Sequence, residues 1–286
     1  MVHSIPYRPN IIRSNNIIKK RIFAIANQKG GVGKTTTTIN LGASLALADR
    51  TVLMVDMDPQ ANLTSGIGKK DKHSSAGTVY DALTTEVTVD LKDFIVATEV
   101  SGLSLLPANR NLTGAEVELV SLERRELRLR PLLRQVREEF DYIFIDTPPS
   151  LGLLTLNALV AAEAMLVPLT CEYFALEGLA ELTSTLGRVQ ASFNPELEIA
   201  GVLLTMADHR TNLGQQVAQE VQNFFGDKVF RTMIPRNVRL GEAPSYGLPV
   251  ILYDVRSKGA EAYVSLAREF LDRMHGPRVS GVLSNG

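Results

Sequence analysis

Hydrophobic and polar positions form blocks along the chain, with short apolar runs separated by longer amphipathic segments. Most of the apolar runs are continuous, which is typical of strands that are covered on both faces. The predicted strands are Ile22–Ala26, Thr51–Val55, Leu103–Leu106, Tyr142–Ile145, Met165–Leu169 and Val202–Thr205. The predicted helices are Thr35–Ala48, Ala115–Phe140, Gly152–Ala162, Leu176–Phe193, Leu213–Phe225 and Gly259–Met274. Strand–helix alternation at this spacing predicts an α/β fold with a doubly wound, mostly parallel sheet flanked by helices.

The alternation runs on without a linker-like stretch or an internal repeat, so residues 21–275 are predicted to form a single domain. Residues 1–20 are predicted to be a flexible arm, and the segment from Met1 through Arg21 has five Lys/Arg and no acidic residue. An accessory contact of this arm with DNA or a partner is the alternative. Residues 276–286 have no amphipathic pattern and are predicted to be a flexible tail.

The composition is that of a globular protein and excludes several functional classes. Of 286 residues, 45% are hydrophobic and 21% are charged, and a formal net charge of −1 excludes a globally basic nucleic-acid binder. Cys171 is the only cysteine, which excludes a disulfide or a cysteine-ligated cluster within one chain. No apolar run approaches the roughly 18 to 20 residues of a membrane span, and the N-terminal segment lacks a secretory signal. We therefore expect a cytoplasmic protein without membrane contact.

The segment NQKGGVGKTTTT, residues 27–38, lies between the first predicted strand and the first predicted helix. It matches the phosphate-loop pattern Gly-x-x-x-x-Gly-Lys-Thr, except that Gln28 replaces the first glycine. Glycines allow a tight turn whose N–H groups face a phosphate, and the positive end of the next helix points to the same place. The glycines of this loop are Gly30, Gly31 and Gly33. Lys34 can reach the β- and γ-phosphates of a nucleotide, and the Thr35 hydroxyl can ligate Mg²⁺.

Carboxylates follow two further predicted strands. Asp56 and Asp58, in LMVDMDPQ, end the second strand, and Asp146, in YIFIDTPP, ends a later one. Ligands of doubly wound sheets bind at the carboxyl ends of the strands, so all three carboxylates are expected to converge on the loop. For Asp56 a role as a turn or helix cap is an equal alternative.

The motifs together resemble one family. The segments KGGVGKTT with its leading lysine, VDMDPQANLTSG and IFIDTPPSLGLLTLNAL resemble the ParA/Soj group of chromosome-partitioning ATPases, which have a deviant Walker phosphate loop. The resemblance continues through PLTCEYFALEGL, GVLLTMADHRTNLGQQV and IPRNVRLGEAPSYGLPVILYD, and it covers essentially residues 21–275. It implies a phosphate-loop NTPase fold and slow ATP hydrolysis in the absence of a partner and DNA.

The resemblance also implies the site residues, with ATP and Mg²⁺ as cofactors. Nucleotide contacts are expected from Lys29, Gly30, Gly31, Val32, Gly33, Lys34, Thr35, Thr36, Pro235 and Asn237, the last two on the adenine side. Thr35 is expected to ligate Mg²⁺, and Asp146 to support the metal through water. The expected catalytic residues are Lys29, Lys34 and Asp58, of which Asp58 orients the attacking water.

Lys29 is unusual because the loop already has Lys34 for its own phosphates. In the family that it resembles, the leading lysine crosses into the second subunit of an ATP-sandwiched dimer and contacts the phosphates there. The resemblance therefore implies a homodimer that forms on ATP binding.

Arginines near the C-terminal part of the chain are candidates for DNA contact. Residues 228–241 contain four cations and no acid. Scattered arginines without a recognition helix favour phosphate contact over base reading. The residues that the resemblance assigns to non-specific double-stranded DNA are Arg210 and Arg239, and Arg236 is a further candidate. A solvated charged face is the alternative.

The resemblance implies that ATP-bound dimers coat nucleoid DNA and are released when a ParB-like, centromere-binding partner stimulates hydrolysis. Two alternatives remain at this point: a nucleotide-gated scaffold that positions another cargo, and an ATP-dependent small-molecule ligase of the same fold. A membrane-positioning relative is disfavoured, since the C-terminal residues RVSGVLSNG form no basic amphipathic helix.

Overall fold

The computed structural model describes residues 22–172, 175–208 and 212–275. The predicted arm, the predicted tail and Arg210 lie outside these ranges. Within them, seven strands form one sheet: β1 (Ile22–Ile25), β2 (Val52–Asp56), β3 (Val96–Ala97), β4 (Leu103–Leu106), β5 (Tyr142–Asp146), β6 (Ala164–Thr170) and β7 (Glu198–Thr205). The strand order is β3-β4-β2-β5-β1-β6-β7, and only the short β3 is antiparallel to its neighbour among these seven. The predicted doubly wound, mostly parallel sheet is therefore confirmed.

Helices connect the strands. In the described part of the chain they are α1 (Lys34–Ala46), α2 (Asn62–Gly66), α3 (Val79–Thr84), α4 (Leu112–Glu118), α5 (Leu129–Val136), α6 (Leu153–Ala161), α7 (Ala175–Ser192), α8 (Asn212–Phe225), α9 (Val238–Glu242), α10 (Val250–Tyr253) and α11 (Lys258–His275). Five of the six predicted helices agree with α1, α6, α7, α8 and α11 to within two residues at each end. None of these helices combines the length and the apolar character that crossing a membrane requires.

The predicted helix Ala115–Phe140 is wrong, because the backbone breaks between α4 and α5. Leu122 is extended, with ψ 143°, and Arg124 lies in the left-handed region with φ 51°. Neither conformation can continue a right-handed helix. Short 3₁₀ turns fill the gap, and Pro131 lies in the first turn of α5, where its missing N–H costs no helical hydrogen bond.

Alternate residues of the central strands enter two separate cores, one on each face of the sheet. In β1, Phe23 and Ile25 point toward α1 and α11, where the Phe23 ring meets Phe270 at 5.1 Å between centroids. Ile22 and Ala24 enter the opposite core, with residues of α5 and α6. Burial on both faces explains the continuous apolar runs of the sequence. The carboxyl ends of β1, β2 and β5 are left side by side at one edge of the sheet, where the predicted site residues lie.

Candidate nucleotide-binding site

The phosphate loop runs from the end of β1 to the first residue of α1. Gly31 has φ 72° and Gly33 has φ 89°, both in the left-handed region, and Gly33 is the N-cap of α1. A side chain at either position would be strained whatever the space around it. A Cβ atom at Gly31 would meet no atom within 4 Å, so the loop leaves room beside its backbone. The tight turn, the open space beside Gly31 and the amino end of α1 together form a site that suits an anion.

Polar side chains fix the loop at both ends. Asn27 donates from Nδ2 to the carbonyl of Pro168 (2.8 Å) and accepts the Lys29 N–H at Oδ1 (2.9 Å). Thr205, at the end of β7, donates from its hydroxyl to the carbonyl of Val32 at 2.9 Å. The sequence analysis did not identify Asn27 or Thr205. Asn27 opens the segment NQKGGVGKTTTT and Thr205 lies in GVLLTMADHRTNLGQQV, and each is a polar residue directly after a buried strand or at its end.

Lys34 is buried, and its ammonium group donates to two carbonyls of its own loop. The Nζ atom lies 3.0 Å from the oxygen of Asn27 and 3.1 Å from that of Lys29. Burial lowers the pKa of Lys34, while the charges of Asp146 and Asp58 act in the opposite direction. A cation held in this way has donor capacity left for an anion at this site.

Thr35 and Asp146 meet across the first turn of α1 and the end of β5. The Thr35 hydroxyl donates to Oδ2 of Asp146 at 2.6 Å. Burial first, and then the charge of Asp56, raises the pKa of Asp146 well above its ordinary value, although the Thr35 hydrogen bond and Lys34 oppose this. A hydroxyl beside a carboxylate is an oxygen donor set that suits Mg²⁺, which keeps several waters and takes few protein ligands.

Asp56 and Asp58 lie at and just after the end of β2. The carboxylate of Asp56 is fully buried and accepts the Thr64 hydroxyl (2.6 Å), the Thr64 N–H (2.8 Å) and the Asp58 N–H (3.2 Å). Asp58 accepts the Gln60 N–H at 2.9 Å and lies near enough to Lys34 to affect its pKa. Burial raises the pKa of Asp56 to about 6, although its hydrogen bonds act against the shift.

The free energy of unfolding of the nucleotide-free protein is expected to fall as the pH rises from 5 to 7. Asp56 accounts for about 1 kcal/mol of this fall. The pKa of Asp56 rises from an ordinary 3.8 to about 6 on folding. Its neutral form therefore favours folding, and this contribution is complete below pH 3.8 and is lost as the pH rises through 6. Urea unfolding at pH 5, 6 and 7 should give a smaller pH slope for Asp56→Asn than for the unsubstituted protein. Equal slopes would contradict this assignment.

The Lys29 side chain reaches the loop after β6. Its Nζ atom lies 3.7 Å from Oε2 of Glu172, and the other carboxylate oxygen lies 3.6 Å from Nη2 of Arg236. One exposed carboxylate therefore contacts both a predicted phosphate-binding lysine and a predicted DNA-binding arginine. Glu172 was not among the predicted site residues, although it lies inside the segment PLTCEYFALEGL.

The remaining predicted residues lie along the segment after β7. Pro235 pairs with Ala207 in an isolated parallel bridge, which places this segment beside the end of β7. The Asn237 side chain caps α9 by accepting the Arg239 N–H at 3.0 Å. The Arg239 guanidinium contacts Glu242 at 2.7 Å and Asp254 at 3.3 Å. Arg239, a predicted DNA-binding residue, therefore has two carboxylate partners within the chain.

The site is a glycine-bearing loop between the first strand and the first helix of a mostly parallel sheet, and a lysine, a hydroxyl and carboxylates surround it. This arrangement defines the class of phosphate-loop nucleotide-binding proteins. A family model described as an AAA domain matches residues 20–199. The sporulation initiation inhibitor protein Soj of Bacillus subtilis is 56% identical over 249 residues, which are 87% of this chain and 97% of that protein. The chromosome partitioning protein ParA of Myxococcus xanthus is 54% identical over 253 residues, 88% of each chain. The chain belongs to the ParA/Soj family of chromosome-partitioning ATPases.

A solved structure supports the fold assignment. Cobyrinic acid a,c-diamide synthase from Mycobacterium smegmatis, with bound ADP and magnesium, superposes with a TM-score of 0.77 at 38% identity. The match covers 90% of this chain and 96% of that one. The sheet and the flanking helices of the present chain are thus those of a known nucleotide-binding architecture.

Proposed function

We propose that the chain is an ATP-driven switch for DNA partitioning: ATP joins two copies, the pair holds DNA, and hydrolysis releases it. The observation that carries this proposal is the meeting of Lys34, Thr35 and Asp146 at the start of α1, beside an open glycine loop. Membership of the partitioning family supports DNA partitioning as the process in which the switch acts. The protein then acts in the cytoplasm, in association with the nucleoid.

ATP is bound by the loop, and the chain supplies each contact. The backbone N–H groups of the loop and the Lys34 ammonium hold the phosphates, while Pro235 and Asn237 lie on the adenine side. Thr35 would hold Mg²⁺ directly, and Asp146 would hold it through water. The bound ion would supply charge neutralisation at the phosphates. Thr36 completes the phosphate contacts. The relative solved with ADP and magnesium supports this cofactor pair.

Hydrolysis depends on Asp58, which holds and orients the attacking water. Positioning and electrostatic stabilisation are most of the catalysis of phosphoryl transfer. The proximity of Asp58 to buried Lys34 supports its place beside the terminal phosphate. Turnover stays slow until the dimer, DNA and a ParB-like protein complete the arrangement.

The terminal phosphate of ATP also joins the two copies, through Lys29. In the single chain Lys29 is paired with exposed Glu172, and such pairs contribute roughly 0 to 1 kcal/mol. A phosphate in a dry interface is a much stronger partner, so the lysine transfers to the second copy. Because the dimer carries two sets of arginines, Arg210, Arg236 and Arg239, it binds DNA far more tightly than one copy.

The ligase alternative has one observation in its favour, since the diamide synthase relative shares the fold at 38% identity. The partitioning relatives are more similar, at 54% and 56% identity. The two functions differ in what ATP binding changes. A ligase consumes ATP with a small substrate and does not need DNA, whereas the proposed switch changes its own assembly and its DNA affinity.

Retention of random-sequence duplex DNA is expected with a non-hydrolysable ATP analogue and not with ADP or without nucleotide. If the dimer neutralises about four phosphates, a plot of the logarithm of the DNA affinity against the logarithm of the salt concentration should have a slope of about −4. Arg239→Ala should reduce the slope by about 2, one contact from each copy. Arg134→Ala, at an exposed position on α5, is the matched control and should change nothing. Equal retention in all nucleotide states would refute the proposed switch.

A further inference from the structure

Thr64 occupies an unusual position between two loops. Its hydroxyl donates to the Asp56 carboxylate at 2.6 Å and accepts the Ala108 N–H at 3.0 Å. Thr64, Asp56 and Ala108 are all buried. The hydroxyl thus joins the end of β2 to the loop between β4 and α4, and it has one donor and one acceptor partner, both within the protein.

The chain between Asp56 and Thr64 forms a closed loop, and Asp58 lies inside it. The Asp58 N–H donates to Asp56, the Asp58 carbonyl accepts the Ala61 N–H at 2.8 Å, and Ala61 is held in the left-handed region with φ 52°. A left-handed alanine is strained, so surrounding contacts must hold it in place. The two hydrogen bonds from Thr64 to Asp56 are the contacts that close this loop on its far side.

We propose that Thr64 is a positioning residue for ATP hydrolysis, which acts by fixing the loop that carries Asp58. This inference rests on the proposed role of Asp58. Loss of the hydroxyl leaves the buried Ala108 N–H without its partner and removes one of the three donors to Asp56. Both changes loosen the loop on the side opposite Asp58. A displacement of the order of 1 Å at a positioning group can cost about 100-fold in rate.

Thr64 makes none of the hydrogen bonds that hold the phosphate loop. Its substitution should therefore affect the hydrolysis step and leave nucleotide binding unchanged. Val is the suitable replacement, because it has nearly the shape of Thr and lacks only the hydroxyl. Ser is the conservative replacement, because it keeps the hydroxyl and loses the methyl group.

Thr51 offers a matched control, because it lies directly before β2, at the end of the strand opposite to Asp56. The Thr51 hydroxyl donates to the carboxylate of Asp141 at 3.1 Å and accepts the Asp141 N–H at 3.0 Å. Thr51→Val therefore removes hydrogen bonds of the same two kinds at the amino edge of the sheet, away from the site, and the Asp141 N–H keeps the Thr51 carbonyl as an acceptor. It controls for a general loss of stability.

The test is single-turnover hydrolysis and fluorescent-ATP binding by the full chain. We expect Thr64→Val to slow hydrolysis about 10- to 100-fold with an ATP affinity within about threefold, and Thr64→Ser and Thr51→Val to stay within about threefold of the unsubstituted protein. In an Asp58→Ala background, Thr64→Val should cause no further loss, since the two residues act through one step. Unchanged hydrolysis in Thr64→Val, a Ser variant as slow as the Val variant, or an equal further loss in the Asp58→Ala background would each overturn the proposal.

The same series separates this inference from the function on which it rests. If Asp58→Ala itself hydrolyses ATP normally, the assigned role of Asp58 fails, and that of Thr64 fails with it. If Asp58→Ala is inactive while Thr64→Val is fully active, only the inference about Thr64 fails. Should Thr64→Val not fold, urea unfolding of the protein will show it, and Thr64→Ala, which also lacks the hydroxyl, then decides. Slow hydrolysis by Thr64→Ala with unchanged ATP affinity and normal hydrolysis by Thr64→Ser supports the proposal, and equal rates in the two variants overturn it.

Discussion

Asp58→Ala is expected to bind ATP normally and to hydrolyse it at least about 100-fold more slowly than the unsubstituted protein. A group that orients or deprotonates the attacking water typically contributes between roughly 100-fold and 10,000-fold to the rate. The phosphate contacts of the loop do not involve the Asp58 side chain, so the affinity for ATP should change little. With release blocked, ATP-bound dimers should accumulate on DNA and remain there.

Single-turnover experiments measure the rate of hydrolysis, and light scattering measures the accumulation of dimers. Asp58 also accepts the Gln60 N–H within its own loop, so part of any effect has a structural origin. Asp90→Ala is the matched control, because Asp90 accepts the Lys92 N–H two residues on in the same way, on an exposed loop. Asp90→Ala should hydrolyse ATP normally. Hydrolysis by Asp58→Ala at the unsubstituted rate would remove Asp58 from the mechanism.

The parts of the site that follow from local rules could be predicted from the sequence. A glycine loop between a strand and a helix fixes where Lys34 and Thr35 lie, and parallel strands place their carboxyl ends at one edge. Asp146 therefore meets Thr35 at 2.6 Å although 111 residues separate them. The continuous apolar strands likewise predicted a sheet with a core on both faces.

Contacts that depend on the packing of distant loops could not be predicted. Glu172 meets Lys29 and Arg236 only because the loop after β6 and the segment between α8 and α9 come together beside the phosphate loop. Thr64 gains its role from Ala108, which lies on another loop. Thr64 and Glu172 lie inside the segments VDMDPQANLTSG and PLTCEYFALEGL, but neither segment shows which distant residues the two side chains contact. Likewise, the break at Leu122 and Arg124 lies within a sequence whose composition favours a helix. A contact with a distant residue holds the chain just after the break, since Asn157 of α6 donates to the Arg125 carbonyl and accepts the Leu129 N–H.

Under the proposed switch, Glu172 must release two side chains before the single chain can dimerise. Lys29 and Arg236 share this carboxylate, and both are expected to bind phosphate, one from a nucleotide and one from DNA. Each new phosphate contact therefore replaces a weak ion pair that is exposed to solvent. Because the lost pairs contribute little, the cost of releasing the two side chains is small compared with the gain from a buried phosphate contact. Under the proposed switch, these exposed ion pairs would therefore oppose the change that ATP causes only weakly.

Lys29→Ala is expected to bind ATP and to remain a single copy, with a dimer dissociation constant raised at least about 100-fold. Opposite unit charges at roughly 4 Å gain about 4 kcal/mol at an effective dielectric constant near 20, and a twofold dimer loses two such contacts. Since about 1.4 kcal/mol corresponds to a factor of ten, the estimate remains large after desolvation is subtracted. Hydrolysis and DNA retention should fail together, because both require the pair.

Light scattering of Lys29→Ala with a non-hydrolysable ATP analogue measures this result, with and without DNA. Lys92→Ala is the control, since Lys92 is an exposed lysine that, like Lys29, is paired with a glutamate, here Glu139, and the variant should dimerise normally. Binding of fluorescent ATP shows that the loop of Lys29→Ala is intact, because Lys34 and its carbonyl partners remain. If Lys29→Ala forms dimers at the same analogue concentration as the unsubstituted protein, the second lysine does not join the copies. The cation would then act within its own subunit, and the dimer, if it forms, would be held by other contacts.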